Sequence, residues 1–373
     1  MKILANISRL LTACVFLFSG FVKGVDPLGF SYKIEDYFIA YHMDWAIPLA
    51  LTLAIMACAL ELSIGVMLLL KLRMKPASWL LLLMMSFFTV LTFFDAVYNP
   101  VPDCGCFGDA IILTNWQTFY KNIVLIVLAI IVFSYRKKFS NGFSPSAQWM
   151  ITGIVAALFI SFSVYCYRHL PVIDFTEWKK GHKLYAENPV PVKYFVTYRN
   201  NATGEQKEFL SPNYPFDDST WMAQWVFVSQ RVEDPNKYYG KSLVITDTLG
   251  NILTETVTRN PEFQLIVNAY DLSSANSQAF SAIDKFCLKA AGDGVSSVAL
   301  VASEPADIVN FVHRNKLSIA FYQSDDIVLK TMVRSNPGIM LLRNGIIIDK
   351  WNWRDLPDYE KFKAEFLTQK EPS

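Results

Sequence analysis

Cys104-Gly105-Cys106 is the stretch whose residue types and spacing offer chemistry in this chain of 373 residues. It sits in a short polar segment, residues 102–109, with a long apolar run on each side. Two cysteines this close can bring their Cα atoms into disulfide range, and the glycine between them permits the tight backbone such a ring needs. A ring so short is strained, and strained or exposed disulfides are the labile, oxidising ones. A cation at Lys121 favours a thiolate, whereas Asp103 and Asp109 disfavour it. Two readings stand side by side. The pair is either a redox dithiol or a structural element, bridged or free, that pins a turn.

The remaining chemistry-bearing residues are dispersed. Cys14 and Cys58 fall within apolar runs and Cys287 on the apolar face of an expected helix, where cysteine behaves as a small hydrophobe. Cys166, at the end of an apolar run, is a weaker candidate for a resolving partner. The four histidines, His42, His169, His182 and His313, are far apart. No cysteine or histidine spacing matches a zinc site, so no metal is expected. A net charge of +1, with no basic cluster interleaved with aromatics, disfavours nucleic acid as a partner.

The elements around the cysteines are apolar. Residues 3–22, 46–70, 77–98, 116–135 and 149–167 each approach the ~20 residues a helix needs to cross the hydrocarbon core. The first run lacks a small-x-small cleavage site, so it reads as a transmembrane helix and not a secretory signal. Lys71, Arg73 and Lys75 lie between the second and third runs, and Arg136, Lys137 and Lys138 between the fourth and fifth. By the positive-inside rule both loops are cytoplasmic. The expected localisation is an inner-membrane, multi-pass protein with a cytoplasmic N-terminus. The cysteine loop, residues 25–44 and everything after His169 then share the periplasmic side. The lipid bilayer is an expected partner.

Four charges fall inside these runs: Arg9, Glu61, Asp95 and Lys121. A charge in lipid costs a few kcal/mol or more, so each is expected to face the bundle interior and pair. By depth, Arg9 goes with Glu61, and Asp95 goes with Lys121 beneath the cysteine loop. The pairs either fix helix register or form a polar pocket for a proton or a quinone headgroup, so a quinone is the candidate cofactor. Tyr98, Trp116 and Tyr120 are expected as interfacial anchors.

With these residues in place a resemblance emerges over about residues 1–140. Ser19-Gly20-Phe21-Val22-Lys23 closing the first helix, followed by Asp26-Pro27, resembles the DoxX family. The helix carrying Glu61, then Cys104-Gly105-Cys106-Phe107-Gly108, Trp116 and Lys121-Asn122, resembles the methylamine-utilisation membrane protein MauE. The resemblance implies a four-helix core, assistance to disulfide formation or maturation of exported proteins, and Cys104 and Cys106 as the redox pair. The spacing Cys-x-Cys departs from the Cys-x-x-Cys of quinone-linked thiol oxidoreductases.

After the last apolar run the composition becomes that of a soluble domain. Residues 192–198 alternate as a strand, with further strands at 208–210, 225–229 and 243–246, a β-rich extension. From Phe263 onward strand, helix, strand, helix and strand succeed one another, then a hairpin over 336–351 and a closing helix over 358–367. Ser303 is the expected N-cap of the second of these helices. That order, with Pro337 just before the first hairpin strand, resembles a thioredoxin-like domain of the TlpA or peroxiredoxin-neighbour type over about 259–370. The resemblance implies a cis peptide at Pro337 and a docking groove beside it. The Cys-x-x-Cys expected at the start of the first helix is absent, since Leu272-Ser273-Ser274-Ala275-Asn276-Ser277 stands there.

The expected organisation is a DoxX/MauE-like transmembrane domain over 1–169, a linker and β-rich extension over 170–258 and a thioredoxin-like α/β domain over 259–373. The expected function is a membrane-anchored thiol–disulfide redox or maturation factor for an exported client protein. The alternative is a non-catalytic scaffold with a structural cysteine pair. A small-solute transporter using the four buried charges is disfavoured, because no inverted repeat is evident.

Overall fold

The computed structural model describes residues 2–236 and 238–368. Its N-terminal part is a helical bundle: α1 (Lys2–Val25), α2 (Pro27–Ala40), α3 (Ala50–Leu69), α4 (Met74–Tyr98), α5 (Asn115–Tyr135) and α6 (Pro145–Arg168). All but α2 are long and apolar enough to cross a membrane, and α3 is lengthened at its start by a 3-10 turn from Asp44. The five expected spans are present, and the chain is a multi-pass membrane protein. Leu83, Phe87, Val90, Val124 and Leu158 project outward as an exposed apolar surface, which in water would be an aggregation site and in lipid is solvated.

Helix α2 was not among the expected elements. Asp26 caps it by accepting from the Gly29 amide at 2.9 Å, and Pro27 occupies its first turn. Phe30, Ile34, Tyr37 and Phe38 have the i, i+4, i+7, i+8 spacing of a helix face. That signal was present, but the helix is too short and too charged to register as a span.

Helices α1 and α3 approach closely because two glycines face the other helix. A Cβ on Gly20 would lie 2.8 Å from the Leu62 amide, and one on Gly65 would lie 2.9 Å from the Leu17 amide. This contact sets the depth at which side chains of α1 meet those of α3.

The rest of the chain forms two sheets. β1 (Lys193–Asn200), β2 (Gln206–Leu210), α7 (Ser219–Gln224) and β3 (Trp225–Glu233) build an antiparallel three-stranded sheet of order β2-β1-β3. Residues 243–246, expected as a strand, make only isolated bridges through Thr246 to Ile252 and Gln323. There follow α8 (Thr254–Thr258), β4 (Phe263–Ala269), α9 (Ser277–Gly292), β5 (Ser296–Val301), α10 (Pro305–Asn315) and β6 (Ala320–Gln323). Then come α11 (Asp326–Met332), β7 (Gly338–Arg343), β8 (Ile346–Asn352) and α12 (Tyr359–Phe362), which continues as a π-helical turn over Lys363–Leu367. The five-stranded sheet has order β6-β5-β4-β7-β8, with β4, β5 and β6 parallel and β7 and β8 antiparallel. Glu304 instead of Ser303 occupies the N-cap position of α10, without a side-chain capping bond, and α11 adds a helix that was not expected.

Alternation along the strands divides the core between two faces. Leu265, Val267, Ile339 and Leu341 pack with α9, α10 and α12. Ile266, Leu300, Met340 and Leu342 pack on the opposite face with α11 and with Trp178, Leu184, Leu243 and Ile245. Part of the stretch expected as an extension therefore fills one side of this sheet. Cys287 is buried in the first face, as expected for a core residue.

The sheet sits on the end of the bundle that carries the cysteine loop. Arg334, in the turn between α11 and β7, is 6% exposed and holds two carboxylates of the bundle. Its Nε donates to Asp26 at 2.8 Å and its Nη2 to Asp109 at 2.6 Å. Tyr32 of α2 meets Tyr270 edge to face at 5.9 Å. Removing one partner from a buried charge cluster costs roughly 3–5 kcal/mol, because the others are left unpaired. Arg334→Met is therefore expected to loosen the sheet from the bundle while both stay folded. Hydrogen exchange should rise in residues 26–40 and 104–110 with little change in β4 and β5; unchanged exchange in both segments would contradict this docking.

Candidate functional site

The loop from Asn99 to Thr114 is held at both ends. Asn99 ends α4 in the left-handed region, and Thr114 starts α5 with a capping box to Gln117. The Asn115 amide ties these ends by donating to Asn99 Oδ1 at 2.7 Å and to the Val101 carbonyl at 2.9 Å. Gly105 has φ +61°, a conformation that costs a residue with a Cβ, and a Cβ there would also meet the Lys33 side chain at 2.8 Å. Lys33 of α2 reaches Asp103 at 2.8 Å, and Asp103 in turn accepts from the Gly105 amide at 3.0 Å. A glycine is therefore required between the two cysteines.

Cys104 and Cys106 are free thiols whose Sγ atoms lie 2.7 Å apart. The Cys106 pKa is lowered to about 6, first by the hydrogen bond from the Cys104 thiol and then, against the cost of burial, by the charges of Lys121 and Lys23. The Cys104 thiol is raised, because it gives its proton to that bond and is buried beside the developing charge. The contact and the two nearby cations thus favour a Cys106 thiolate accepting from a Cys104 thiol. A thiolate is the nucleophilic form of cysteine, and a low-pKa thiol is also the better leaving group.

Beneath the loop a polar chain runs into the bundle. Ser19 Oγ lies 2.8 Å from the Cys106 carbonyl and 2.9 Å from Glu61 Oε2, and its single proton serves one acceptor at a time. Glu61 Oε1 pairs with Lys23 Nζ at 2.6 Å, with both side chains almost wholly buried. Lys23 also lies over the Phe30 ring at 4.6 Å. Lys121 Nζ sits over the Phe107 ring at 4.5 Å.

The four buried charges expected to pair with one another do not. Arg9 donates to the Leu68 and Leu69 carbonyls at the end of α3, at 2.5 and 2.9 Å, and satisfies groups a helix terminus leaves open. Glu61 is instead the partner of Lys23, because the close α1–α3 contact brings those two to one depth. Asp95 accepts from Tyr37 Oη at 2.7 Å, and burial, followed by that bond, raises the Tyr37 pKa. Lys121 turns toward Phe107 and the cysteines. Tyr98, Trp116 and Tyr120 are exposed at the loop end of the bundle, where anchors were expected. Cys14 is exposed on α1, whereas Cys58 and Cys166 are buried. Asn336–Pro337 is a cis bond, and the Asn336 amide donates to the Asp271 carbonyl and to Ser274 Oγ at the start of α9. Pro337 thus borders the segment where a Cys-x-x-Cys was sought, and it lies three residues from the Arg334 that holds Asp109.

Residues 1–135 match the family model of methylamine utilisation protein MauE. The MauE-like part therefore runs from α1 to the end of α5 and contains both cysteines, Ser19, Lys23, Glu61 and Lys121. No curated protein and no solved structure matches the chain. Arg334 is a site residue that the sequence left without a role, and Ser19 and Lys23 entered only through the resemblance at the end of the first helix. Lys23 was visible as a cation one residue past the first expected run, and its partner follows once α1 and α3 are neighbours. Among the described residues no group of three metal-ligating side chains occurs.

The thiolate assignment has a pH signature. Alkylation of Cys106 by iodoacetamide, read by mass spectrometry, should titrate with a midpoint near 6, the reactive form being present above it and lost as pH falls through it. Cys104→Ala removes the main stabilising hydrogen bond and should raise the midpoint by about one unit or more, since a bond to the charged form is what lowers it. A midpoint that does not move would show that Cys104 is not the donor.

Proposed function

We propose that the protein is a membrane thiol–disulfide redox or maturation factor in which Cys104 and Cys106 interconvert between dithiol and disulfide. The observation that carries this reading is the direct contact of the two sulfurs with an acidic Cys106 beside Lys121 and Lys23. A structural cysteine needs neither a lowered pKa nor a cation. In the oxidising direction, a thiolate of an exported client attacks Cys104 Sγ and Cys106 leaves as the thiolate. A second client thiol then displaces Cys104, giving a client disulfide and the reduced pair.

The five-stranded sheet is read as a thioredoxin-like domain on the grounds of its strand order, the position of α9 after β4 and the hairpin after Pro337. Residues 272–277, where that family carries its cysteines, contain none, so the domain acts as a docking module. Its role would be to present the client beside the cysteine loop, on the extracytoplasmic side of the membrane. The absence of cysteine from residues 272–277 also suits the second reading, a non-catalytic scaffold with a structural pair.

In-cell trapping with an alkylating reagent separates the two. The redox reading expects both oxidised and reduced Cys104–Cys106 in growing cells, and accumulation of reduced exported proteins in a Cys104→Ser/Cys106→Ser variant that still folds. A pair fixed in one state, with the double variant fully functional, favours the scaffold.

A further inference from the structure

A cavity of about 580 Å³ opens beside the cysteine pair, enclosed by α1, α2, α3, α4 and α5 in the half of the bundle nearest the loop. That size falls in the range of about 300–1,000 Å³ typical of small-molecule sites. Its walls are almost entirely apolar, with Phe30, Ile34, Leu53, Phe88, Leu91 and Leu125 among them. Tyr41, Leu53 and Phe87 line the cavity and are exposed, so it opens between apolar and aromatic side chains of the bundle. Such an opening suits an occupant that arrives from the bilayer.

The polar atoms in the wall limit what that occupant is. Lys23 is held by Glu61, Lys33 by Asp103, Tyr37 by Asp95 and Asn122 by Thr92 and the Phe88 carbonyl. Lys121 makes no hydrogen bond or ion pair among the described residues, and its ring contact leaves its ammonium protons available. Cys104 and Cys106 complete the wall. A lipid acyl chain would fill the apolar volume but would use neither the thiols nor the spare cation. The matching chemistry is an apolar ring that accepts two electrons and carries a carbonyl oxygen.

We propose that this cavity binds the ring of a lipid-soluble quinone, which reoxidises Cys104 and Cys106. The proposal rests on the dithiol reading above and names the oxidant that reading requires. The Cys106 thiolate adds to a ring carbon, forming a C–S bond, and the electron pair displaced onto the carbonyl oxygen is met by Lys121. Cys104 then loses its proton, and its sulfur attacks Cys106 Sγ. The S–S bond forms as the C–S bond breaks, and the pair returns to the ring. One proton comes from Cys104 and one from solvent, so dithiol and quinone become disulfide and quinol.

The test uses the full-length protein in lipid nanodiscs, reduced and kept anaerobic, with decylubiquinone or oxidised glutathione as oxidant. Decylubiquinone should yield the Cys104–Cys106 disulfide with one quinol per chain. It should also bind the Cys104→Ser/Cys106→Ser variant, which cannot turn over. Ala57→Phe, which fills the wall on α3, should lower the ratio of quinone-driven to glutathione-driven oxidation about tenfold, as expected when an overpacked site loses binding. Leu91→Trp, on the opposite wall, provides a second variant should the first fail to fold. Disulfide formation with glutathione but not with decylubiquinone overturns the quinone site and spares the dithiol reading. A co-purified phospholipid that decylubiquinone does not displace overturns it as well. Failure of both oxidants sinks the dithiol reading and this step with it.

Discussion

Everything at the functional end of this molecule depends on the buried Lys23–Glu61 pair. A lone ion at that depth in an apolar bundle is costly, so each fixes the position of the other. Their meeting requires α1 and α3 in close contact, which Gly20 and Gly65 allow. Ser19 lies between Glu61 and the carbonyl of Cys106, within hydrogen-bond distance of both, and gives its one proton to either. The pair that sets helix depth thus lies one side chain away from the backbone of Cys106. Its cation also contributes to the low Cys106 pKa. Replacing such a pair with well-packed apolar residues is often neutral for stability, so its importance here lies in placement.

The loop is gripped from the other side as well. Arg334 ties Asp109, three residues after Cys106, to Asp26 at the start of α2, and Lys33 of α2 ties Asp103 on the other flank. The cysteine pair therefore lies between the loop residues that the sheet holds through Arg334 and the cavity that Cys104 and Cys106 help to line. Arg334 comes from the turn leading to Pro337, which links the proposed docking groove to the loop through three residues of backbone.

Much of this was legible in the sequence. Run lengths and a low density of charge marked the five spans, and period-two alternation with β-branched runs marked most strands. The Cys-Gly-Cys spacing marked the site. The charge pairings were not legible, because depth along a helix gives a level but not an azimuth. Arg9 and Glu61 seemed matched, yet helix-end carbonyls took Arg9, and Lys23, on the same helix as Arg9, reached Glu61. Asp95 found a phenol on α2, a helix hidden by its charged residues despite its helical spacing. Arg334 carried no signal at all, since its two partners lie more than two hundred residues away in sequence. Trp178 and Leu243 looked like parts of an extension because a core formed by distant segments leaves no local pattern.

The cysteine pair itself is where a single measurement bears most directly. Purified protein equilibrated in glutathione buffers of increasing oxidation, then acid-quenched and mapped by mass spectrometry, reports the state of each thiol. Cys104 and Cys106 are predicted to pass together and reversibly from dithiol to an intramolecular disulfide, with a Cys106–glutathione adduct accumulating when Cys104 is replaced by alanine. Thiols that stay free at every buffer ratio, or a bridge that no reductant opens without unfolding, would contradict a redox role for this loop.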